Sequence, residues 1–191
     1  MNISIITFTE NGTKLAEKIR KTIADAKTEE AKKLGLSLSD WTRQQFAEKN
    51  AIVVIGACGI AVRMIAPFVS DKLSDSPVVV ADEAGTFVIP LLSGHMGGAN
   101  ELAEQIAGQI GGIPVITTAT DVNHKFAVDV FAVKNHCEIC EMELAKEAAA
   151  LLVDGKTVGF CSRFPVEGTK PEELIPEEAA KPSMGICITT S

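Results

Sequence analysis

Residues 51–63 read AIVVIGACGIAVR, an unbroken apolar run followed by a turn that contains Gly56 and Gly59. An all-apolar strand is typical of a parallel sheet that helices cover on both faces. The glycines let backbone N–H groups approach an anion at a helix start, and Arg63, one turn further on, offers a guanidinium to a carboxylate. The alternative is a tight turn in which Cys58 is a small buried residue. Either way, the stretch predicts a buried strand, a turn and a helix.

The rest of the chain alternates between strand-like and helix-like segments. Residues 98–110 carry an apolar stripe at helical spacing, and two glycines follow it. Ala84 and Gly85 separate two strand-like runs, so a hairpin is one arrangement of that pair. Four further apolar runs predict strands: 2–8, 77–81, 86–89 and 113–117. The alternation predicts an α/β fold, a layered and mainly parallel sheet with flanking helices.

The character of the sequence changes after residue 133. A helix rich in Ala and Glu is expected over 141–152, a strand over 157–161 and an exposed loop over 167–181. We therefore expect an N-terminal α/β domain over 1–133 and a small second α/β unit over 134–191.

The composition of the 191 residues argues against several classes of function. The net charge is −7 and aromatic residues make up 5% of the chain, so neither a basic field nor stacking platforms for nucleic acid are expected. No apolar run reaches the roughly 20 residues of a membrane span. The five cysteines are odd in number in a chain large enough to bury a core, which indicates reduced thiols and a cytoplasmic protein.

Two later loops carry titratable residues. Asp82 and Glu83 follow a strand of valines, where α/β ligand sites form, and one of them is a candidate acid or base if burial raises its pKa. Ser93 and His95 lie in SGHMGGAN (93–100), whose glycines let the backbone approach a ligand at a helix start. The spacing is not that of a serine-nucleophile elbow. The alternatives are a solvated turn for the acids and a capped helix start with a solvent-facing histidine for the loop.

Two other groups are weaker candidates. Cys137 and Cys140, beside His136, have a metal-like spacing, but the sequence has no second pair at finger spacing, so no protein metal site is expected. Thr118 and Asp121 follow a strand and are candidates for the same crevice as the earlier loops. Their alternative is a hydroxyl-rich helix cap.

Three segments resemble the CbiG family of cobalamin-biosynthesis proteins: IGACGIAVR (55–63), PLLSGHMGGANELA (90–103) and PVITTATD (114–121). Residues 134–191 resemble the family's middle region, and we expect the sequence to lack the C-terminal domain with which the family usually continues. The resemblance implies a cobalt-precorrin-5A hydrolase. Water opens the δ-lactone of a cobalt-bound tetrapyrrole, and a two-carbon fragment leaves as acetaldehyde. The cobalt belongs to the substrate, so no cofactor of the protein is expected.

Lactone opening needs a base for water and donors for the developing oxyanion. Under this resemblance we expect His95 to be the base, Glu83 or Asp82 to orient or replace it, and Ser93 to donate a hydrogen bond. A substrate rich in carboxylates also needs local cations. The candidates for substrate binding are Gly56, Cys58, Gly59, Arg63, Lys72, Gly97, Gly98, Asn100, Thr118, Asp121 and Lys125.

We expect one crevice to bring together Gly59, Glu83, His95 and Thr118. An alternative function is a non-catalytic module that binds or docks the tetrapyrrole and needs the C-terminal domain for turnover. A third, which rests on the glycine loops alone, is nucleotide or phosphate binding. The sequence leaves open a homodimer and contacts with other corrin-pathway enzymes, and neither nucleic acid nor a membrane is an expected partner.

Overall fold

A computed structural model describes residues 2–23, 26–71, 74–176 and 184–190. They form two compact units, one within 1–116 and one within 117–191. The expected boundary after residue 133 differs from this division, because Phe126 and Val128 pack with Ala148 and Leu152 in the core of the second unit. The expected α/β class is confirmed by the strands and helices of both units.

The first unit is built from alternating strands and helices. Its strands are β1 (Ile3–Thr7), β2 (Ala26–Glu30), β3 (Ala51–Ile55), β4 (Val78–Ala81), β5 (Phe87–Leu92) and β6 (Ile113–Pro114). Its α-helices are α1 (Glu10–Arg20), α2 (Leu38–Ala47), α3 (Cys58–Ile65) and α4 (Ala99–Ile110).

These strands form one sheet in the order β2-β1-β3-β4-β5-β6. Neighbouring strands are parallel except β4 and β5, which form an antiparallel hairpin. Val78 pairs with Leu92 and Ala81 pairs with Val88, so β5 runs back from the end of β4 to its start. The sheet is mainly parallel, as predicted, and the hairpin is the arrangement that the chain adopts.

Helices cover both faces of this sheet. Along β3, Val53 and Ile55 face the core that contains α1 and α4, whereas Ile52 and Val54 face the core that contains α2 and α3. All four side chains are buried. The run 51–55 is therefore a strand buried on both faces, which explains why it has no polar alternation.

The second unit is a small α/β layer. Its described helices are α5 (Ala119–Val122), α6 (Val128–Lys134) and α7 (Met142–Val153), and its described strands are β7 (Val158–Ser162), β8 (Leu174–Pro176) and β9 (Gly185–Ile188). The strand order is β8-β7-β9, and both pairs are parallel. Strand β8 lies inside the segment 167–181 that was expected to be a loop, of which 177–181 lie outside the described residues. No helix in the described ranges is long and apolar enough to cross a membrane.

Candidate active site

The candidate residues of the first unit lie at two opposite edges of the sheet. We call the side of the sheet at which β1, β3 and β4 end the carboxyl edge, and the opposite side, at which they begin, the amino edge. Neither term refers to the outer strands of the sheet. Because β5 is antiparallel to β4, the loop after β5 lies at the amino edge, whereas the turns after β3 and β4 lie at the carboxyl edge. Asp82 and Glu83 are thus at one edge, and Ser93 and His95 are at the other.

The length of helix α4 gives the distance between the 82–83 turn and the loop that contains His95. The helix begins just after the loop that contains His95, and its last residue, Ile110, lies against Gly85, 3.2 Å from where a Cβ would stand. A helix of 12 residues is about 18 Å long. The expected crevice that contains both Glu83 and His95 is therefore not formed. The expectation that an acid of the 82–83 turn orients His95 is wrong, because the hairpin reverses the chain between them.

Glu83 ties the β4–β5 turn to the start of α1. Its carboxylate accepts hydrogen bonds from Thr9 Oγ1 at 2.6 Å and from Asn11 Nδ2 at 3.2 Å. Thr9 is also the N-cap of α1, because its Oγ1 accepts from the Gly12 N–H at 3.0 Å. The hydrogen bonds from Thr9 and Asn11 lower the pKa of Glu83 below its ordinary value. Glu83 is therefore an ionised carboxylate at a helix start, where negative charge is favourable.

Asp82 shapes the same turn. Its carboxylate accepts from the backbone N–H of Ala84 at 2.9 Å and from that of Phe87. Partial burial raises the pKa of Asp82, but the backbone donors, led by Phe87, outweigh burial and lower the pKa overall. Asp82 and Glu83 thus lack the raised pKa that a general acid or base near neutral pH needs. Their contacts favour the alternative interpretation, a structural turn.

The 56–59 turn also lies at the carboxyl edge, between β3 and α3. The Gly56 N–H donates to the Ala81 carbonyl at 2.9 Å. Cys58 is half-buried and packs against the core that contains α3. Arg63 Nη1 donates to the Gly59 carbonyl at 3.1 Å, so the guanidinium lies along its own helix. These contacts are those of a tight turn with a half-buried Cys58, and Arg63 is an exposed cation at this edge. The role of the turn in substrate binding stays a prediction.

The 93–98 loop at the amino edge is closed by backbone hydrogen bonds. The first two N–H groups of α4 donate to the carbonyls of Ser93 and Gly94, at 3.2 and 3.0 Å. The His95 carbonyl accepts from the Gly98 N–H at 3.1 Å. Half-buried His95 is therefore held in a compact loop at the helix start, as the sequence motif predicts.

Close packing explains the glycines of this loop. A Cβ on Gly94 would stand 2.6 Å from Asn100 Oδ1, and a Cβ on Gly97 would stand 2.5 Å from Ser93 Cβ and 2.7 Å from the Ser93 carbonyl oxygen. Protein interiors do not tolerate contacts this short without rearrangement. Gly98 has a φ of +84°, in the left-handed region that glycine adopts most easily. The motif SGHMGGAN therefore specifies the shape of the loop.

Two residues outside the loop, Asp75 and Ser70, hold it in place. Ser93 Oγ donates to the Asp75 carbonyl at 3.0 Å, across 18 positions of sequence. Asp75 as a residue is 8% exposed, and its carboxylate accepts from the Ser70 N–H at 3.0 and 3.1 Å and from Ser70 Oγ at 3.2 Å. No motif marks Asp75 or Ser70, because only the fold brings them to Ser93. Ser93 thus positions the loop, and its expected hydrogen bond to substrate stays a prediction.

The remaining candidate residues lie elsewhere. Lys72 lies outside the described residues. Thr118 and Asp121 belong to the second unit, where Thr118 precedes α5 and Asp121 lies within it. Lys125 Nζ lies 3.7 Å from Glu173 Oε1 of the same unit. The place of Lys72, Thr118, Asp121 and Lys125 in a substrate site stays a prediction.

Cys137 and Cys140 follow α6 and are exposed. Cys137 Sγ donates to the Asn135 carbonyl at 3.6 Å. Within 2–23, 26–71, 74–176 and 184–190, no group of three or more His, Cys, Asp or Glu side chains could hold a metal ion.

Two family models match the chain. Residues 40–121 match the family described as cobalamin synthesis G N-terminal, and residues 126–191 match the one described as cobalamin biosynthesis central region. The first match contains both the 56–59 turn and the 93–98 loop.

Several relatives match parts of this chain. The cobalt-precorrin-5A hydrolase of Salmonella typhimurium is 50% identical over 119 residues, which are 62% of this chain and 34% of that protein. The protein of the same name from Priestia megaterium is 48% identical over 86 residues, 45% of this chain and 23% of that one. The probable cobalt-precorrin-5A hydrolase of Methanocaldococcus jannaschii is 33% identical over 134 residues, 68% of this chain and 38% of that one. The chain thus spans about a third of the length of the Salmonella protein.

A solved structure agrees with the fold. The crystal structure of a cobalamin biosynthesis protein G homologue from Sulfolobus solfataricus matches with a TM-score of 0.58 and 22% identity, over 99% of this chain and 56% of that one. At this identity the likeness supports the fold alone. The two family models describe the N-terminal and central regions of this family, and together they cover most of the 191 residues. The chain therefore belongs to the CbiG family of cobalamin-biosynthesis proteins.

Proposed function

We propose that this chain acts as a cobalt-precorrin-5A hydrolase, which opens the δ-lactone of a cobalt-bound tetrapyrrole with water and releases acetaldehyde. The names of its relatives support the proposal, at identities of 50%, 48% and 33%. The cobalt arrives with the substrate, so the protein needs no metal of its own. We place the reaction in the cytoplasm, as the reduced thiols expected from sequence suggest.

The closed 93–98 loop is the observation that supports a hydrolytic centre best. Opening a lactone requires a base that removes a proton from water while the carbonyl carbon is attacked. An imidazole suits this task near neutral pH, because its ordinary pKa lies between 6 and 7, at about 6.5. His95 supplies the imidazole on a loop whose backbone is fixed at both ends, by Ser93 to Asp75 and by the start of α4. A fixed base contributes through orientation as well as through proton transfer.

The same base serves the second half of the reaction. Lactone opening yields a carboxylate and an alcohol. When the alcohol oxygen then loses its proton, it becomes the carbonyl oxygen of acetaldehyde, and the electron pair of the broken carbon–carbon bond stays on the conjugated macrocycle. A single histidine can accept a proton in each step if solvent restores its neutral form between them. Asp82 and Glu83 have no place in these steps, because they lie about a helix length of 18 Å away, at the other edge of the sheet.

Replacing His95 tests the proposed base. We expect the wild-type chain, incubated anaerobically with cobalt-precorrin-5A, to release acetaldehyde. His95→Ala should release it at least about 100-fold more slowly, which is typical for loss of a general base. His136→Ala is the matched control, because His136 is exposed and adjoins none of the residues predicted for the substrate site. Tetrapyrrole that binds to the wild type without any release of acetaldehyde would contradict catalysis and favour a binding module.

The shape of the loop is tested by a pair of glycine variants. Gly97→Ala places a Cβ 2.5 Å from Ser93, so we expect the free energy of unfolding to fall by about 1–3 kcal/mol and acetaldehyde release to fall with it. Gly108→Ala is the control, because a Cβ there has no atom within 4 Å and alanine favours the helix by roughly 0.5–1 kcal/mol. Urea unfolding measures both variants. If Gly97→Ala were as stable as the wild type, Gly97 and Ser93 would not be packed as closely as these distances indicate.

The role of Glu83 is tested by the pH dependence of stability. Since folding lowers its pKa, its stabilising effect is present above the unfolded value of 4.5 and is lost as the pH falls through the folded value. We expect Glu83→Gln to be less stable than wild type at pH 7, and the difference to narrow below pH 4.5. Urea unfolding across this range measures it, with Glu104→Gln on the exposed face of α4 as control. Loss of acetaldehyde release at unchanged stability would instead restore a catalytic role to Glu83.

A further inference from the structure

Cys161 and Cys187 lie side by side on two neighbouring strands of the second unit. They are register partners in the parallel pair β7 and β9. Paired residues of a parallel ladder point to the same face of the sheet. Both side chains are thiols rather than half-cystines; Cys187 is exposed and Cys161 is half-buried.

The packing of the sheet identifies the face that carries the two thiols. The register pair one step earlier, Phe160 and Ile186, packs into the core that contains Ala148 and Leu152 of α7. Because side chains alternate along a strand, Cys161 and Cys187 lie on the face opposite α7. The next pair on that face is Gly159 and Gly185, which has no side chains to cover the sulfur atoms.

The distance between neighbouring strands decides what these thiols can do together. Neighbouring strands lie about 4.7–4.9 Å apart. A disulfide accommodates Cα atoms about 4.4–6.8 Å apart, so the strand spacing does not exclude one, but both cysteines are thiols in this structure. A metal–thiolate bond is about 2.3 Å long for zinc, so one ion can bridge two sulfur atoms up to about 4.6 Å apart. The strand spacing is close to this span, so one ion can bond to both sulfur atoms when the two side chains turn toward each other.

We propose that Cys161 and Cys187 form a two-thiolate site for a soft metal ion, with Cu(I) as the ion it suits best. Thiolates select soft ions such as Cu(I), and Cu(I) accepts two ligands. On binding, both thiols release their protons to solvent and both sulfur atoms bond to the ion without change of oxidation state. The site is independent of the proposed hydrolysis, because it uses none of the residues of the 93–98 loop.

Anaerobic titration of the full chain with Cu(I), in competition with the chelator bicinchoninate, tests this site. We expect one Cu(I) to bind per chain, and X-ray absorption of the bound copper to show two sulfur ligands. Cys187→Ser and Cys161→Ser should each weaken binding at least about tenfold. We expect Cys187→Ser to fold like the wild type, because the side chain of Cys187 is exposed, so weaker binding in this variant reports on the site itself.

The double variant Cys137→Ser/Cys140→Ser is the matched control, since it also removes exposed thiols of the second unit but leaves the strand pair intact. It should bind Cu(I) as tightly as the wild type. Unchanged affinity in Cys187→Ser would overturn the proposal. Loss of binding in the double variant would overturn it too, and would assign the copper to the 137–140 loop instead.

Discussion

The antiparallel pairing of β4 and β5 is the constraint on which the arrangement of the candidate site depends. Strands β1, β3 and β4 run in one direction and place their turns at one edge of the sheet. The hairpin then sends β5 back beside β4, with Val78 opposite Leu92. Had β5 been reached by a crossover helix, its loop would have joined the others at the carboxyl edge. The reversal instead delivers the SGHMGGAN loop to the amino edge.

The contacts at the two edges of the sheet differ. At the carboxyl edge, Asp82 holds the hairpin turn through backbone N–H groups, and Glu83 ties that turn to Thr9 at the start of α1. At the amino edge, Asp75 and Ser93 fix the glycine loop ahead of α4. Helix α4 connects the two edges. The acids of the first edge are thus structural, and the histidine of the second edge remains the candidate base.

Local sequence patterns predicted the elements of the fold but not the contacts that join them. The apolar run 51–55 identified a buried strand, because a strand that is buried on both faces has no polar alternation. The segment Ala26–Glu30 forms a strand despite its polar sequence AKTEE. It is an outer strand of the sheet in which only Ala26 is buried, so polar side chains are tolerated there. The direction of β5 was left open, although only residues 82–86 separate β4 from β5, and a crossover to a parallel neighbour takes about a dozen residues or more. Glu83 meets Thr9 across 74 positions, a contact that no short motif encodes.

The crystal structure of this chain with cobalt-precorrin-5A bound, solved anaerobically with His95→Ala to slow turnover, tests the central claim most directly. We expect the lactone ring to lie against the 93–98 loop at the amino edge, within hydrogen-bond reach of the space that the imidazole occupies in the wild type. A lactone bound at the carboxyl edge, in contact with Asp82 or Glu83, would contradict it.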